Sequence, residues 1–358
     1  MTDPLQECIL TMNRGSATLK SALYAIGNTE ELLLSMMVDE GGDSGDRLRI
    51  SDPSGTSLFD SVLDRGDSNA AIEKMFSWMG AHNFLTRLTA AGHRLLQGGP
   101  RHTRPQQITP EFLSELEQLA PLDPDHLPAA IWAIQYIAAK FPALPQVACF
   151  DTAFHESLSR VARMYALPRR FYERGIVRHG FHGLSYEYVM SELGARKERL
   201  ANGRVIIAHL GSGAGMVAVK AGKSVDTSMG FTPIEGLVMS TRCGDLDPGV
   251  ILYLLEHKKM SAEEISTLVN KQSGLLGVSE TSGDMRTLID RTQNDPMAAE
   301  ALELFCYRAK KYIGSYAAVL GGVDLLVFVG GIGEHAPIVR DRICAGLEFL
   351  GVQLEVIS

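Results

Sequence analysis

Apolar and polar residues follow two different periods along this chain, and together the two periods predict a mixture of strands and helices. Short apolar runs broken by a polar, glycine-rich turn occur twice, within Cys8 to Ile26 and within Arg204 to Lys220. Each predicts a strand, a turn of the size of a phosphate group, and a second strand. Two such hairpins, half a chain apart, suggest a duplicated α/β unit with a ligand in the cleft between the copies. Glycine-rich hairpins also occur without duplication, so the pattern alone leaves both interpretations open.

The chain between the hairpins predicts further strands and two helices. Gly41 to Asn69 is polar and glycine-rich, which indicates strands and turns, whereas Ala70 to Ala91 has the spacing of an amphipathic helix. Pro100 to Pro128 is rich in proline and predicts irregular chain with one short helix near Glu111 to Ala120. We interpret this segment as an insert that lines a cleft.

A buried strand in the run VACFDTAFH ends at Asp151. Enzymes of the α/β class expose ligand-binding groups at the carboxyl ends of their strands, so Asp151 is a candidate site residue. A helix cap is the structural alternative, because the residues after Asp151 predict the start of a helix. We place the domain junction just after this strand, which gives domains of residues 1–152 and 153–358.

The most apolar stretch, Tyr316 to Ile332, predicts the end of a buried helix, a turn and a buried strand. Asp324 and paired glycines interrupt it, which argues against a membrane span. The strand Leu325 to Val329 would deliver the glycines of Gly330 to Gly333 to a helix that starts near Ala336. Bare backbone at that point would let a planar adenosine lie against the chain.

Composition narrows the class of protein. A chain of 358 residues predicts about two domains. A net charge of −8 argues against a nucleic-acid or membrane surface as partner. The five cysteines contain no CxxC pair and are odd in number, which favours reduced thiols and a cytoplasmic location. The N-terminus has no basic region followed by an apolar stretch, so no secretory signal is predicted.

The loop GKSVDTSMGFTPIEGLVMSTRCGDLD, Gly222 to Asp247, surrounds one arginine, Arg242, with glycines. Gly230, Gly236 and Gly244 are expected to adopt backbone conformations closed to other residues, so that the chain bends around a small anion. The arginine supplies a forked positive charge that suits carboxylate or phosphate. A structural turn with a surface arginine would have the same composition.

This loop resembles the signature of acetate kinases, in which the equivalent arginine faces the transferred phosphoryl group. The resemblance extends from Cys8 to the end of the chain. It is carried by Asn13 to Lys20, Gly92 to Gly99, Phe150 to His155, Gly180 to Ser185, Gly283 to Arg286 and the runs AHLGSGA, SGLLGVS and GGIGEH.

The resemblance implies two ribonuclease-H-like domains of the actin, Hsp70 and sugar-kinase superfamily, with the active site in the cleft between them. Residues 1–152 would bind the acid and residues 153–358 the nucleotide. The implied reaction is reversible in-line transfer of a phosphoryl group from ATP to acetate, giving acetyl phosphate and ADP and supplying acetyl-CoA biosynthesis. Propionate is the alternative acid. The family also implies a homodimer and Mg²⁺, with Mn²⁺ as an alternative metal.

Transfer to an ionised acid needs no strong base, because its difficulty is the approach of one anion to another. Cations on both sides of the phosphoryl group, a metal ion and neutral donors should therefore carry the catalysis. The resemblance assigns the two cations to Arg94 and Arg242. It places His182 at the equatorial oxygens, Asn13 at the phosphoryl group and the metal, and Asp151 as the Mg²⁺ anchor.

The resemblance also implies two binding regions. The substrate methyl group would lie in an apolar pocket of Leu96, Leu122, Phe181 and Pro233. Leu96 follows Arg94 by two positions, so an extended chain would place both side chains on one side. ATP would bind through Lys20, His209, Gly211, Ser212, Gly213, Asp284, Met285, Arg286, Gly331, Ile332 and His335.

Several positions depart from the family pattern: Ala17, Thr18, Gln97, Asp123, Pro124, Tyr186, Ser212, Met285 and His335. Most of these changes preserve size or hydrogen-bonding ability, so we expect altered affinity rather than lost chemistry. Family members continue past the last residue of this chain with a strand, a helix and a glutamate that positions Mg²⁺. A truncated chain, or a catalytically weakened nucleotide-binding protein, is therefore the alternative from another class.

Overall fold

The computed structural model describes residues 6–15, 18–39, 46–63, 68–99, 101–120 and 127–353. The chain divides into two compact units, unit 1 (Met1–Ala153) and unit 2 (Phe154–Ser358). Each unit is built around its own sheet. No described helix combines the length and the apolar character that crossing a membrane requires.

Unit 1 contains an eight-stranded sheet in the order β5-β4-β3-β2-β1-β6-β8-β7. Its strands are β1 (Cys8–Arg14), β2 (Thr18–Ala25), β3 (Glu31–Asp39), β4 (Asp46–Ser51), β5 (Ser57–Leu63), β6 (Leu88–Leu95), β7 (Gln106–Gln107) and β8 (Gln146–Phe150). β1 is antiparallel to β2 and parallel to β6, and β6 is parallel to β8. Alternate residues of β1, namely Cys8, Leu10 and Met12, are buried. That alternation fixes which face of the sheet meets the core.

The helices of unit 1 are α1 (Ser68–Ala81), α2 (Pro110–Leu119) and α3 (Leu127–Lys140). α2 confirms the short helix expected near Glu111 and begins at the Thr109 cap, whose hydroxyl accepts from the Phe112 amide. The single long helix expected over Ala70 to Ala91 is wrong. α1 ends at Ala81, Asn83 adopts a left-handed φ of 62°, and Leu88 already begins β6. Pairing of Leu88 to Arg94 with β1 overrides the helical spacing there.

Unit 2 contains a four-stranded sheet in the order β11-β10-β9-β12. Its strands are β9 (Arg204–Leu210), β10 (Ala214–Lys220), β11 (Lys223–Thr227) and β12 (Leu325–Val329). β9 is antiparallel to β10 and parallel to β12, which repeats the β3-β2-β1-β6 order and directions of unit 1. Both predicted hairpins are confirmed, and the repeated topology supports the duplication that the sequence left open.

The described part of unit 2 also contains helices α4 to α14. They are α4 (Arg160–Arg163), α5 (Arg169–Glu173), α6 (Gly183–Arg196), α7 (Glu198–Ala201), α8 (Pro248–Glu256), α9 (Ala262–Lys271), α10 (Gly274–Ser279), α11 (Met285–Arg291), α12 (Pro296–Leu320), α13 (Gly330–His335) and α14 (Pro337–Cys344). Consecutive residues of β9 from Val205 to Ala208 are fully buried, as expected for a strand that is covered on both faces.

The apolar stretch Tyr316 to Ile332 forms the end of α12, a turn and β12, as predicted, although β12 is only partly buried. The helix expected to start near Ala336 is confirmed as α14, whose N-cap residue is Ala336, whereas the short helix α13 before it was not predicted. Gly330 begins α13 directly after β12, and a second helix, α14, begins at Pro337. The glycine segment is therefore itself the first turn of a helix.

Candidate active site

A row of polar side chains crosses the sheet of unit 1. Asn13 on β1 is the register partner of Lys20 on β2 and of Arg94 on β6, and Arg94 is the partner of Cys149 on β8. Register partners point to the same face of a sheet. Strand pairing thus brings together three predicted residues, one of which, Lys20, had been assigned to ATP.

Arg94 lies at the centre of a network of short hydrogen bonds to side chains that are distant in sequence. Its Nε donates to Asp151 Oδ1 at 2.9 Å and its Nη2 to Asp151 Oδ2 at 2.6 Å, while Nη1 donates to Asn13 Oδ1 at 2.8 Å. The Asp151 side chain is only 2% exposed and that of Arg94 29% exposed. Both carboxylate oxygens of Asp151 thus belong to a bidentate ion pair, the strongest geometry for this combination of groups.

The same cluster is the candidate metal site. Carboxylate and amide oxygens are ligands that Mg²⁺ accepts, and those of Asp151 and Asn13 converge within 3 Å of one guanidinium. The donor set therefore fits the metal in kind, and Asn13 and Asp151 are the residues that would hold it. Among the described residues there is no group of three His, Cys, Asp or Glu side chains suited to a metal ion.

In unit 2, His182, His209 and Arg242 converge on the turn between β9 and β10. The rings of His182 and His209 lie 4.2 Å apart, and His209 Nδ1 is 2.9 Å from Ser185 Oγ. A methyl group placed on Gly213 would lie 3.6 Å from His182 Nε2 and 3.8 Å from Arg242 Nη1. The structure therefore places two hydrogen-bond donors beside the bare backbone of a glycine turn.

Backbone hydrogen bonds hold the Arg242 segment against this turn. The Ser240 amide donates to the Ser212 carbonyl at 3.0 Å, and the Met239 amide donates to the Arg242 carbonyl at 3.2 Å. The N-terminus of α10, within the SGLLGVS motif, donates from Leu275 to the Met239 carbonyl at 2.8 Å. The motif thereby fixes the loop that carries the arginine.

The glycines of the Arg242 loop serve two different purposes. Gly236 and Gly244 have φ of 106° and 70°, as expected for conformations that favour glycine. The same expectation for Gly230 is wrong, since its φ is not in the left-handed region. Gly230 instead lacks a side chain because the Glu235 carboxylate and the Tyr165 hydroxyl occupy the place of a Cβ atom.

The predicted acid pocket is only partly accounted for. Phe181 is buried immediately before His182, and Pro233 is half-buried in a turn of the Arg242 loop. β6 ends at Leu95, so Leu96 lies in a bend and strand alternation does not set its direction. Leu122 lies outside the described residues.

Most of the predicted nucleotide residues gather at one end of the unit 2 sheet. His209, Gly211, Ser212 and Gly213 form the end of β9 and the turn after it. Gly331, Ile332 and His335 lie on α13. These two segments touch at Gly330, where an added Cβ atom would lie 2.7 Å from the Leu210 carbonyl oxygen.

The GDMR run, Gly283 to Arg286, lies at the start of α11 and not on the β9–β10 turn or α13. Asp284 caps α11 and accepts from the Thr287 amide at 3.0 Å and hydroxyl at 2.8 Å, and these hydrogen bonds lower the pKa of Asp284. Met285 is buried and Arg286 is exposed. The Asp284 carboxylate thus has a structural role within its own helix.

Three further residues, which the sequence did not indicate, support the same loop. Arg178 donates to Glu235 Oε1, and Tyr165 donates to Glu235 Oε2. Two features of the sequence could have suggested them: Glu235 is a carboxylate within the Arg242 loop, and Arg178 lies four residues before His182. A pairing over 57 residues of sequence is not visible without the fold.

The repeated sheet topology, with a glycine turn flanked by histidine and arginine, defines a phosphotransferase of the duplicated actin-like fold. This chain belongs to the Acetokinase family, whose profile matches residues 8–357. An acetate kinase of Rhodopseudomonas palustris is 45% identical over 356 residues, which covers 98% of this chain and 89% of that protein. The resemblance and the fold class inferred from the sequence are confirmed.

Two solved structures share the fold over nearly the whole chain. The acetate kinase of Porphyromonas gingivalis has a TM-score of 0.87 at 37% identity, and covers 97% of this chain and 88% of that one. A propionate kinase from Francisella tularensis has a TM-score of 0.91 at 34% identity, with 98% and 90% covered. The two structures bear names for different acids, so the family does not decide the acid for this chain.

Proposed function

We propose that the protein is an acetate kinase that reversibly transfers a phosphoryl group from ATP to acetate. The observation that carries this proposal is the convergence of His182 Nε2 and Arg242 Nη1 on Gly213 of the β9–β10 turn. The acetate kinase named above, at 45% identity, supports the choice of reaction. Propionate is the alternative acid, supported by the propionate kinase fold match.

The charges of the site suit direct transfer. Arg242 and His182 offer donors to phosphoryl oxygens, whose charge they stabilise in the transition state. Arg94 holds a carboxylate in bidentate fashion in the structure, namely that of Asp151. A substrate carboxylate presents the same fork of oxygens, so acetate can take the place of Asp151 at the guanidinium.

Mg²⁺, held by Asn13 and Asp151, would neutralise phosphate charge and orient the γ-phosphoryl group. Asp151→Asn keeps the shape of the side chain and removes the charge that a hard cation needs. We expect it to raise the Mg²⁺ concentration needed for half-maximal acyl phosphate formation at fixed ATP. Superimposable titrations of wild type and variant would remove Asp151 from the metal site.

ATP binding is assigned to the glycine segments of unit 2. The β9–β10 turn offers backbone donors for phosphates, and the first turn of α13 offers bare backbone for the adenosine. His209, Ser212, Gly331 and Ile332 line these segments. Lys20, which lies in the Asn13 and Arg94 row, is proposed to contact phosphate rather than the base.

The test is acyl phosphate formation from ATP, Mg²⁺ and acetate, trapped with hydroxylamine. Propionate replaces acetate in a parallel series, and Arg242→Ala serves as the inactive control. ATP-dependent product in wild type and its loss in the control are expected. ATP binding without acyl phosphate from either acid would overturn the proposal in favour of a nucleotide-binding protein without turnover.

We also propose a homodimer in the cytoplasm. Leu252 and Tyr253 of α8 are 55% and 50% exposed, and no residue of that helix is fully buried. A second copy of the chain would cover this apolar face. The cytoplasmic location is supported separately by the five free thiols, which suit a reducing compartment. Leu252→Glu should halve the mass measured by light scattering, whereas Leu167→Glu, at another exposed leucine, should not. A monomeric wild type would exclude the dimer.

A further inference from the structure

A partly buried hydrogen-bonded triad, which we call the brace, joins three segments of unit 2. Its members are Tyr165, Arg178 and Glu235. Glu235 accepts from Arg178 Nη2 through Oε1 and from the Tyr165 hydroxyl through Oε2, both at 2.5 Å. The side chains of Arg178 and Glu235 are 19% and 30% exposed. Burial and the Glu235 carboxylate raise the pKa of Tyr165, so its hydroxyl keeps its proton and donates.

Each end of the brace holds backbone rather than solvent. Arg178 Nη1 lies 3.2 Å from the Thr227 carbonyl, 3.5 Å from that of Ser228 and 3.2 Å from that of Met229. The Tyr165 oxygen accepts from the Phe231 amide at 2.7 Å. The chain that leaves β11 is thus fixed over several consecutive residues.

The fixed segment connects to His182. The amides of His179 and Gly180 donate to the Gly230 carbonyl at 3.0 and 3.3 Å, and His182 follows two residues later. His182 precedes α6 in a left-handed conformation with φ of 60°. Residues 227–231 are therefore bonded to the backbone that leads directly into His182.

The fixed segment also connects to Arg242. Glu235 is followed by Gly236, whose amide donates to Asp245 Oδ1 at 2.9 Å, closing a loop that contains Arg242. The Gly236 carbonyl accepts from the Asp245 amide at 3.0 Å. One ion pair thus lies between the segment that carries His182 and the loop that carries Arg242.

We propose that Arg178, Glu235 and Tyr165 are positioning residues that set the placement of His182 and Arg242 for phosphoryl transfer. This inference rests on the proposed function of those two side chains. Both oxygens of Glu235 are engaged, so the carboxylate fixes geometry and does not act on substrate. Hydrogen-bonded networks whose members are all satisfied specify one arrangement of the chain, and small misplacements of catalytic groups reduce turnover by up to about 100-fold.

The test compares Glu235→Gln, Arg178→Lys and Tyr165→Phe with Asp324→Asn. Asp324 forms a comparable hydrogen-bonded ion pair with Arg204 at the start of β9, away from the brace. We expect kcat per folded molecule to fall by about 10- to 100-fold in the brace variants, with the KM for ATP changed less than threefold. Asp324→Asn should lower only the thermal midpoint. The double variant Glu235→Gln/Tyr165→Phe should lose no more kcat than the more severe single variant, because both changes act through the brace.

A second readout does not depend on catalysis. The imidazole resonances of His182, assigned with His182→Gln in histidine-labelled protein, should shift in the brace variants and stay in place in Asp324→Asn. Unchanged kcat and unchanged His182 resonances would overturn the brace. A wild type that forms no acyl phosphate while its His182 resonance still responds to the brace would overturn the proposed function alone.

Discussion

The ion pair of Arg94 and Asp151 should make Arg94 important for the stability of unit 1 as well as for its chemistry. Arg94→Met keeps most of the aliphatic length of the side chain and removes the guanidinium. The Asp151 carboxylate, 2% exposed, then loses the cation that binds both its oxygens. A buried charge without a partner is among the most destabilising features in a protein.

The structure sets the order of the effects. Removing one partner of a buried pair costs about 3–5 kcal/mol, and the 29% exposure of Arg94 places Arg94→Met at the lower end. Asp151→Asn leaves the Arg94 guanidinium without its carboxylate, but water reaches that guanidinium. We therefore expect a smaller loss in the free energy of unfolding, about 1–2 kcal/mol. The double variant should be more stable than Arg94→Met alone, because no unpaired buried carboxylate remains.

Urea unfolding followed by tryptophan fluorescence measures this directly. The chain contains two tryptophans, Trp78 on α1 and Trp132 on α3, and both lie in unit 1. Their emission therefore reports the unfolding of that unit. An unchanged urea midpoint for Arg94→Met, or a double variant less stable than both single ones, would refute the reasoning.

Three further predictions concern activity and pH. Arg242→Ala should lower kcat at saturating substrates by about 3 kcal/mol of transition-state stabilisation while ATP affinity stays nearly constant; unchanged kcat would contradict its role. Leu96→Ala should raise the propionate-to-acetate ratio of kcat/KM, since one methylene is worth about 1–3 kcal/mol; a constant ratio would remove Leu96 from the pocket. Burial lowers the pKa of His93 from 6.5 to about 4, opposed by its hydrogen bond to Gln146. His93 of the unfolded chain therefore binds a proton at a higher pH than His93 of the folded chain. The free energy of unfolding should fall by about 3 kcal/mol as pH drops from 6.5 to 4. In His93→Gln the urea midpoint should depend less steeply on pH. Equal slopes would contradict it.

Short-range patterns in the sequence predicted the hairpins and the strand before Asp151, because glycine turns and apolar strands leave local signals. The limits of elements were predicted less well where pairing with distant strands decides them. The predicted helix included Leu88 to Ala91, which instead pair with β1, and the helix that begins at Gly330 was not predicted. In β6 the long-range pairing overrides the local preference.

The candidate site shows the same division. Motifs identified Arg94, Asp151, His182 and Arg242, because each lies beside glycines or a strand end. The ion pair of Arg94 with Asp151 spans 57 residues of sequence, as does that of Arg178 with Glu235. Neither has a local signature, so the contact between the residues proposed to bind the acid and the metal emerges only from the fold.

The repeated topology accounts for how one fold could support the two kinds of recognition proposed for this protein. In unit 1 the end of β6 beside β1 carries Arg94, which is in register with Asn13. In unit 2 the equivalent strand β12 ends beside β9 with Val329 in register with His209, and Gly330 follows. The same strand end thus presents a cation in one unit and bare backbone in the other. A cation suits a small carboxylate, and bare backbone suits a planar base. On the proposed function, a difference of a few residues at the end of the parallel strand is therefore enough to separate acid binding from nucleotide binding.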